Sequence, residues 1–333
     1  MASAEQIKAL LKSYIDDDES HFFSVAMQVA AHEARLGHGK LADELRQLID
    51  VAKARRSSGS SFSNKPIPIS QPRGELAGLL EVSYPKFRLN HMILEETVVE
   101  RLNRVIREQR NLAKIQEYGL APRRKILLVG PPGTGKTMTA SVLAGELGLP
   151  LFQVRLDAVL TKYMGETAAK LRQIFDAITA TRGIYFFDEC DAIGSQRGLS
   201  NDVGEIRRVL NSFLQMLEQD QSQSVIIAAS NHAEILDYAL FRRFDDVIEY
   251  GLPNQEQIIL TLQSRLITFK LDTIRWEFLA EVADGLSYVE IVRATEDAIK
   301  DSIIHDRNTI SEEEIAKVLR ERKAVRIGKF SSL

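Results

Sequence analysis

The stretch Lys125–Thr137 reads KILLVGPPGTGKT, with a lysine and a threonine directly after closely spaced glycines. Gly130, Gly133 and Gly135 can take backbone angles that a Cβ resists, so successive N–H groups can face phosphate oxygens. With Pro131, Pro132, Thr134 and Met138 they form a candidate nucleotide-binding loop. Lys136 suits the β- and γ-phosphates, and the Thr137 hydroxyl suits a Mg²⁺ ion. A glycine-rich turn before a helix is the plainer reading of the same letters. The flanks favour phosphate, because an apolar strand-like run precedes the loop and a helix-forming segment follows it.

A second set of chemical residues lies downstream. In Ile184–Glu189, IYFFDE, apolar residues deliver Asp188 and Glu189 to a strand end. Ligands of open α/β sheets collect at that edge. Asp188 can hold Mg²⁺ through its water shell, and Glu189 can orient and polarise an attacking water. Asp191 supports this corner. Cys190, the single cysteine of the chain, reads as a packing residue, because neighbouring carboxylates disfavour a thiolate. Asn231 ends the next apolar run. Its amide could reach a γ-phosphate or the attacking water, although Asn also favours turns. Arg242 and Arg243 are adjacent, and a guanidinium against a γ-phosphate is worth about 10³–10⁵ in rate. Their spacing does not say whether they act within the chain or on a neighbour.

Alternating elements must position these groups. Candidate strands are 125–130, 150–155, 183–188, 224–230 and 246–250, with helices between them. The pattern predicts an α/β fold with a parallel five-stranded sheet covered on both faces. Residues 254–333 read as helices near 254–267, 275–284, 287–305 and 311–323, the last opened by a capping box at Ser311 and Glu314. A long helix over Glu95–Tyr118 buries Val98, Leu102, Val105 and Ile106. Its other side carries Arg101, Arg104, Arg107, Arg110 and Lys114, which read as a solvated face rather than a nucleic-acid stripe. Residues 1–56 read as a small helical bundle, and 57–72, rich in Ser, Gly and Pro, as a flexible tether. The expected organisation is therefore 1–56 as a helical partner or substrate module, 57–72 as linker, 73–252 as the α/β core and 253–333 as a helical lid.

The 333 residues can build two or three cores; hydrophobic residues make up 44% and charged residues 27%, with a net charge of −3. Nothing global draws the chain to nucleic acid or an anionic membrane. No apolar run approaches a membrane span and no secretory signal is evident, so a cytoplasmic protein is expected.

Taken together, GPPGTGKT, KYMGET (162–167), YFFDECDAIG (185–194), EIRRVLNSFLQMLE (205–218) and SNHAEILDYALFRRFDD (230–246) resemble the AAA family of ATPases. The resemblance covers about 89–323. It implies a P-loop αβα sandwich with a helical lid, ATP and Mg²⁺ as ligands, and a homo-oligomeric ring, usually a hexamer. In that reading Asn231 matches the sensor-1 residue. Arg242 and Arg243 match arginine fingers acting on the neighbour's nucleotide, and Arg207 and Arg208 are candidates either for that contact or for packing on their own core. Lys162, Tyr163 and Met164 match a pore loop that grips a protein substrate in the central channel. Taken alone, Tyr163 fits a core position of the following helix equally well. The segment 194–205 resembles a second pore loop. Tyr288 stands where the family often has a small residue near the adenine, Arg293 lies one turn later, and Asn90–Leu94 departs from the usual adenine-lining stretch. No HExxH motif is present. The layout resembles small stand-alone bacterial members, some of which are paired with a separately encoded subtilisin-like serine protease in modules of antiviral defence. Three functions follow as expectations: a protein remodelling or unfolding motor, an ATP-gated switch that recruits or activates a partner, and a nucleic-acid-associated ATPase.

Overall fold

The structure is a computed structural model. It describes residues 74–159, 164–191 and 203–326, apart from positions 237, 268, 272, 273, 306 and 308, together with scattered positions before 74. The chain divides into two compact units, Met1–Pro68 and Ile69–Leu333. In the first, Val29, Ala30 and Ala42 are buried. Most of the expected bundle at 1–56 and nearly all of the tether at 57–72 lie outside the described residues.

Strands β1 (Leu80–Ser83), β2 (Lys125–Val129), β3 (Leu151–Val154), β4 (Ile184–Phe187), β5 (Val225–Ser230) and β6 (Asp246–Glu249) form one sheet in the order β1-β3-β4-β5-β2-β6. The five later strands are parallel. Strand β1 pairs antiparallel with β3, Leu80 opposite Val154. The expected five-stranded parallel sheet is thus a mixed six-stranded one. LEVS is short and half polar, and it follows directly on a helical turn at Leu76–Leu79 (α1), so it carries too little apolar pattern to announce a strand.

Every residue of β2, β4 and β5 is buried, as helices on both faces require. Alternate side chains serve opposite faces. Ile126, Leu128, Ile184, Phe186, Ile227 and Ala229 pack with Leu102 and Val105 of α2 (Glu96–Arg110) and with Leu143 of α4 (Lys136–Leu147). Leu127, Val129, Tyr185, Phe187, Ile226 and Ala228 pack with Val159 of α5 (Leu156–Val159), with Ile174 and Ile178 of α6 (Met164–Ala180) and with Phe213 and Leu217 of α7 (Val203–Gln219).

The long helix expected over Glu95–Tyr118 breaks at Asn111, and a short α3 (Leu112–Glu117) follows. Asn111 Nδ2 donates to the Arg107 carbonyl at 2.8 Å, the kind of local side-chain bond that competes with helix continuation. The basic face of α2 is engaged internally. Arg101 meets Asp246 at 3.1 Å, Arg104 meets Glu108 at 3.4 Å and Arg110 meets Glu146 at 2.8 Å.

The C-terminal region holds α9 (Gln255–Leu266), α10 (Trp276–Ala283), α11 (Tyr288–Ile304) and α12 (Glu312–Arg326) around their own core. Asn254/Gln257, Ser287/Glu290 and Ser311/Glu314 each cap a helix start reciprocally. A two-stranded parallel ladder, β7 (Lys270–Leu271) with β8 (Thr309–Ile310), had no sequence signal at that length. Among the described residues, no helix is long and apolar enough to cross a membrane.

Candidate active site

Strand order brings the chemical residues together. Strand β5 lies between β4 and β2, so the residues just beyond these three strands share one edge. Gly130 N donates to the Ser230 carbonyl at 3.3 Å, and Cys190 N to the Ala229 carbonyl at 2.8 Å. The phosphate loop, Asn231 and the pair Asp188–Glu189 therefore stand side by side. Pro132–Met138 of the loop, Asn231 and the acid pair border a cavity of about 1000 Å³ that residues of the C-terminal helices also line.

The loop is held by its glycines and by the lid. Gly130, Gly133 and Gly135 have φ of 145°, 76° and 104°, which side chains rarely adopt. A Cβ on Gly130 would lie 2.2 Å from the Tyr250 carbonyl oxygen, and one on Gly133 would lie 2.6 Å from Ser287 Oγ. Val289 N donates to the Gly133 carbonyl at 3.3 Å, so the start of α11 rests on the loop. Thr139 and Tyr250 share a buried hydroxyl–hydroxyl bond of 2.6 Å across from α4.

Lys136 is buried and folds back, its Nζ donating to the carbonyls of Gly130 at 2.7 Å and Pro131 at 2.8 Å. Burial lowers its pKa, while the carboxylates of Asp188 and Asp191 work against that shift. Thr137 Oγ1 donates to Asp188 Oδ2 at 3.0 Å. A hydroxyl and a carboxylate this close are a donor pair that fits Mg²⁺, which takes few protein ligands and completes its octahedron with phosphate oxygens and water.

Glu189 has φ of 51°, the one non-glycine residue with positive φ among the described residues. Its N–H donates to Asp188 Oδ1 at 3.0 Å. Asp188 and Glu189 also border a second cavity of about 450 Å³ on the β1–β3 side, so the acid pair stands between two spaces. Cys190 is buried, and burial with the adjacent carboxylates pushes its thiol pKa far up, as a packing role requires. Asp191 Oδ1 is buried without a partner.

Several expected contacts differ. Pro132, Gly133, Thr134, Gly135, Lys136, Thr137 and Met138 border the cavity, whereas Gly130 and Pro131 do not. The Gly130 N–H is spent on the sheet and the Gly130 and Pro131 carbonyls on Lys136, so these two form the floor under the loop. Arg242 and Arg243 do not line this chain's cavity, which agrees with the expectation that they act on a neighbour's nucleotide. Arg243 pairs with Glu218 at 3.1 Å, and its buried Nε has no partner. Lys162, Tyr163 and nearly all of 194–205 lie outside the described residues, as do the side chains of Met164, Arg207 and Arg208. In the other direction, Asn90–Leu94 lines the cavity despite its unfamiliar sequence, with Thr261, Arg265, Tyr288, Val289 and Arg293 opposite. Burial and Glu95 push the Tyr288 phenol up to about 12, so it stays neutral. Nothing in the spacing of these lid residues signals a cavity wall.

A glycine-rich loop between strand and helix, with a hydroxyl–carboxylate pair at the neighbouring strand ends, defines a P-loop nucleoside triphosphatase. Comparisons narrow the class. The model for the "ATPase family associated with various cellular activities (AAA)" matches residues 126–252. The chain is 34% identical over 330 residues to "Uncharacterized AAA family ATPase y4kL" of Sinorhizobium fredii, covering 98% of each. It is 33% identical over 231 residues to "ATP-dependent zinc metalloprotease FtsH 4" of Sphaerobacter thermophilus, covering 67% of this chain and 35% of that one. Over 215 residues it is 36% identical to "Probable 26S proteasome regulatory subunit 10B" of Caenorhabditis elegans, covering 62% and 52%. The protein belongs to the AAA family of ATPases and is an ATP hydrolase. Members of this family typically use Mg·ATP and generally form oligomers.

Proposed function

We propose that this chain assembles into a ring, as a hexamer, and uses Mg·ATP hydrolysis to remodel or unfold protein substrates. The observation that carries the chemistry is the 3.0 Å contact of Thr137 with Asp188 on the wall of that cavity. Phosphate oxygens would replace the loop carbonyls now held by Lys136. Glu189 would orient and deprotonate the attacking water, and Asn231, between loop and acid pair, would hold that water or the γ-phosphate. Mg²⁺, held by Thr137 and Asp188, would supply positive charge that offsets the charge developing on the phosphates. Arg242 and Arg243, away from their own cavity, would serve the neighbouring subunit's nucleotide.

The motor reading draws on the likeness to FtsH 4 and to a proteasome regulatory subunit, named respectively for ATP-dependent proteolysis and for the proteasome. Residues 1–56 would select the protein partner, tethered by 57–72 to the ATPase core 73–252 and its lid 253–333. Lys162, Tyr163 and Met164 would grip the extended polypeptide, since an aromatic ring offers contact area at small entropic cost. The ion pairs along α2 weigh against the nucleic-acid reading. An unfolded polypeptide such as casein should stimulate hydrolysis, and Tyr163→Ala should lose that stimulation while keeping the basal rate. Unchanged stimulation in the variant would remove threading from the account.

A further inference from the structure

The segment carrying Arg242 and Arg243 is fastened at two points to the root of the strand that ends in the phosphate loop. Asp245 Oδ2 accepts the backbone N–H of both Arg124 and Lys125, each at 2.9 Å. In return, Asp245 N donates to the Lys125 carbonyl at 2.8 Å. The second fastening runs through α7. Arg124 donates from its guanidinium to both the carboxylate and the carbonyl of Asp220, the residue after that helix. The Asp220 side chain is almost wholly buried and also accepts from Ser222 N at 3.2 Å. At the same helix end Glu218 meets Arg243 at 3.1 Å. The polar contacts thus close a ring: Arg243 to Glu218, along the chain to Asp220, across to Arg124, and through Asp245 back to Arg243.

A carboxylate that accepts two consecutive backbone N–H groups is held by charge-assisted bonds and fixes where its own backbone runs. Phe244, buried beside it, adds an apolar anchor. The arginines between this anchor and the short α8 (Tyr238–Phe241) have little freedom to wander.

We propose that Asp245 is a positioning residue: by clamping the arginine segment to the root of β2, it sets the reach of Arg242 and Arg243 toward the neighbouring subunit. This rests on the reading that these arginines act across the subunit boundary. Asp245 touches no residue bordering the nucleotide cavity through its side chain, so its loss should spare the chain's own site and damage the site next door. A displacement of about 1 Å in a catalytic group can cost roughly 100-fold in rate.

Subunit mixing tests this. Asp245→Ala alone should bind a fluorescent ATP analogue as the unaltered protein does, yet hydrolyse ATP about 10- to 100-fold more slowly. Glu189→Gln subunits keep their arginines but cannot hydrolyse. Mixed with Asp245→Ala subunits, they should restore hydrolysis to within about threefold of a matched mixture with unaltered subunits. The parallel mixture of Glu189→Gln with an Arg242→Ala/Arg243→Ala chain tests the underlying reading. Recovery with both partners supports the proposal. Recovery with the arginine-deficient chain but not with Asp245→Ala overturns it, because Asp245 would then be sustaining its own site or fold. No recovery with either overturns cross-boundary action and the proposal with it. Should Asp245→Ala fail to fold, Asp245→Asn, whose amide oxygen can accept both N–H groups but without the charge that strengthens both bonds, is expected to behave as a milder form in the same mixtures. Full activity of that variant alone, with kcat unchanged, would also overturn the proposal.

Discussion

At the scale of single residues, Glu189, proposed above as the base that activates water, also carries backbone strain. Its positive φ costs about 1–3 kcal/mol in a non-glycine residue. The fold sustains that cost with the bonds from Glu189 N to Asp188 and from Cys190 N to Ala229. Glu189→Gln should bind ATP normally and lose about 10²–10⁴ in hydrolysis, since the loss is that of a general base. Glu189→Gly should be equally inactive yet unfold at a higher temperature, because glycine accepts the angle freely. A lowered Tm for the glycine variant would show that the side chain, not the backbone, dominates stability there. Cys190 makes a separate prediction. Its thiol is buried and its pKa is raised, so a thiol reagent at pH 8 should label it only as fast as the chain unfolds. Rapid labelling of the native protein would contradict this burial. Lys136, Thr137, Asp188 and Glu189 were legible in the sequence because glycine spacing and an apolar run ending in acids each have one obvious physical use. The roles of Gly130 and Pro131 as floor were not legible, because only the neighbouring strand reveals that the Gly130 N–H is already taken.

At the scale of elements, the site is only as rigid as the contacts between β2, α4, β6 and the lid. Tyr250, just after β6, meets Thr139 with its hydroxyl and presses its carbonyl against Gly130. Tyr250→Phe should cost about 1 kcal/mol in urea unfolding, the usual net worth of one hydrogen bond, and leave the loop in place. A neutral result would mean that Thr139, which also donates to the Gly135 carbonyl at 3.1 Å, is satisfied without Tyr250. Long periodic elements were readable in advance. The buried strands β2, β4 and β5, the four lid helices and the capping box at Ser311 and Glu314 all carry dense local signals. Short elements were not. Strand β1 depends on its partner β3, the β7–β8 ladder has two residues a side, and the break at Asn111 turns on one side-chain bond. These are tertiary decisions that local periodicity does not encode.

At the scale of the whole molecule, the proposed function divides the work: one chain's cavity would bind the nucleotide, and a neighbour's arginines would complete catalysis. The loop, the acid pair, Asn231 and residues of the C-terminal helices line the cavity, whereas neither Arg242 nor Arg243 does, and Arg243 pairs with Glu218 instead. A neighbour's arginines would complete the site, and hydrolysis would then report assembly. Activity per chain should rise with protein concentration, and an Arg242→Ala/Arg243→Ala chain should bind ATP but lose about 10³–10⁵ in rate. The most direct measurement is electron microscopy of Glu189→Gln with Mg·ATP. The account predicts closed rings with nucleotide at the subunit boundaries and Arg242 or Arg243 reaching the neighbour's γ-phosphate. Single chains fully loaded with nucleotide, or rings whose arginines point away from every nucleotide, would contradict it.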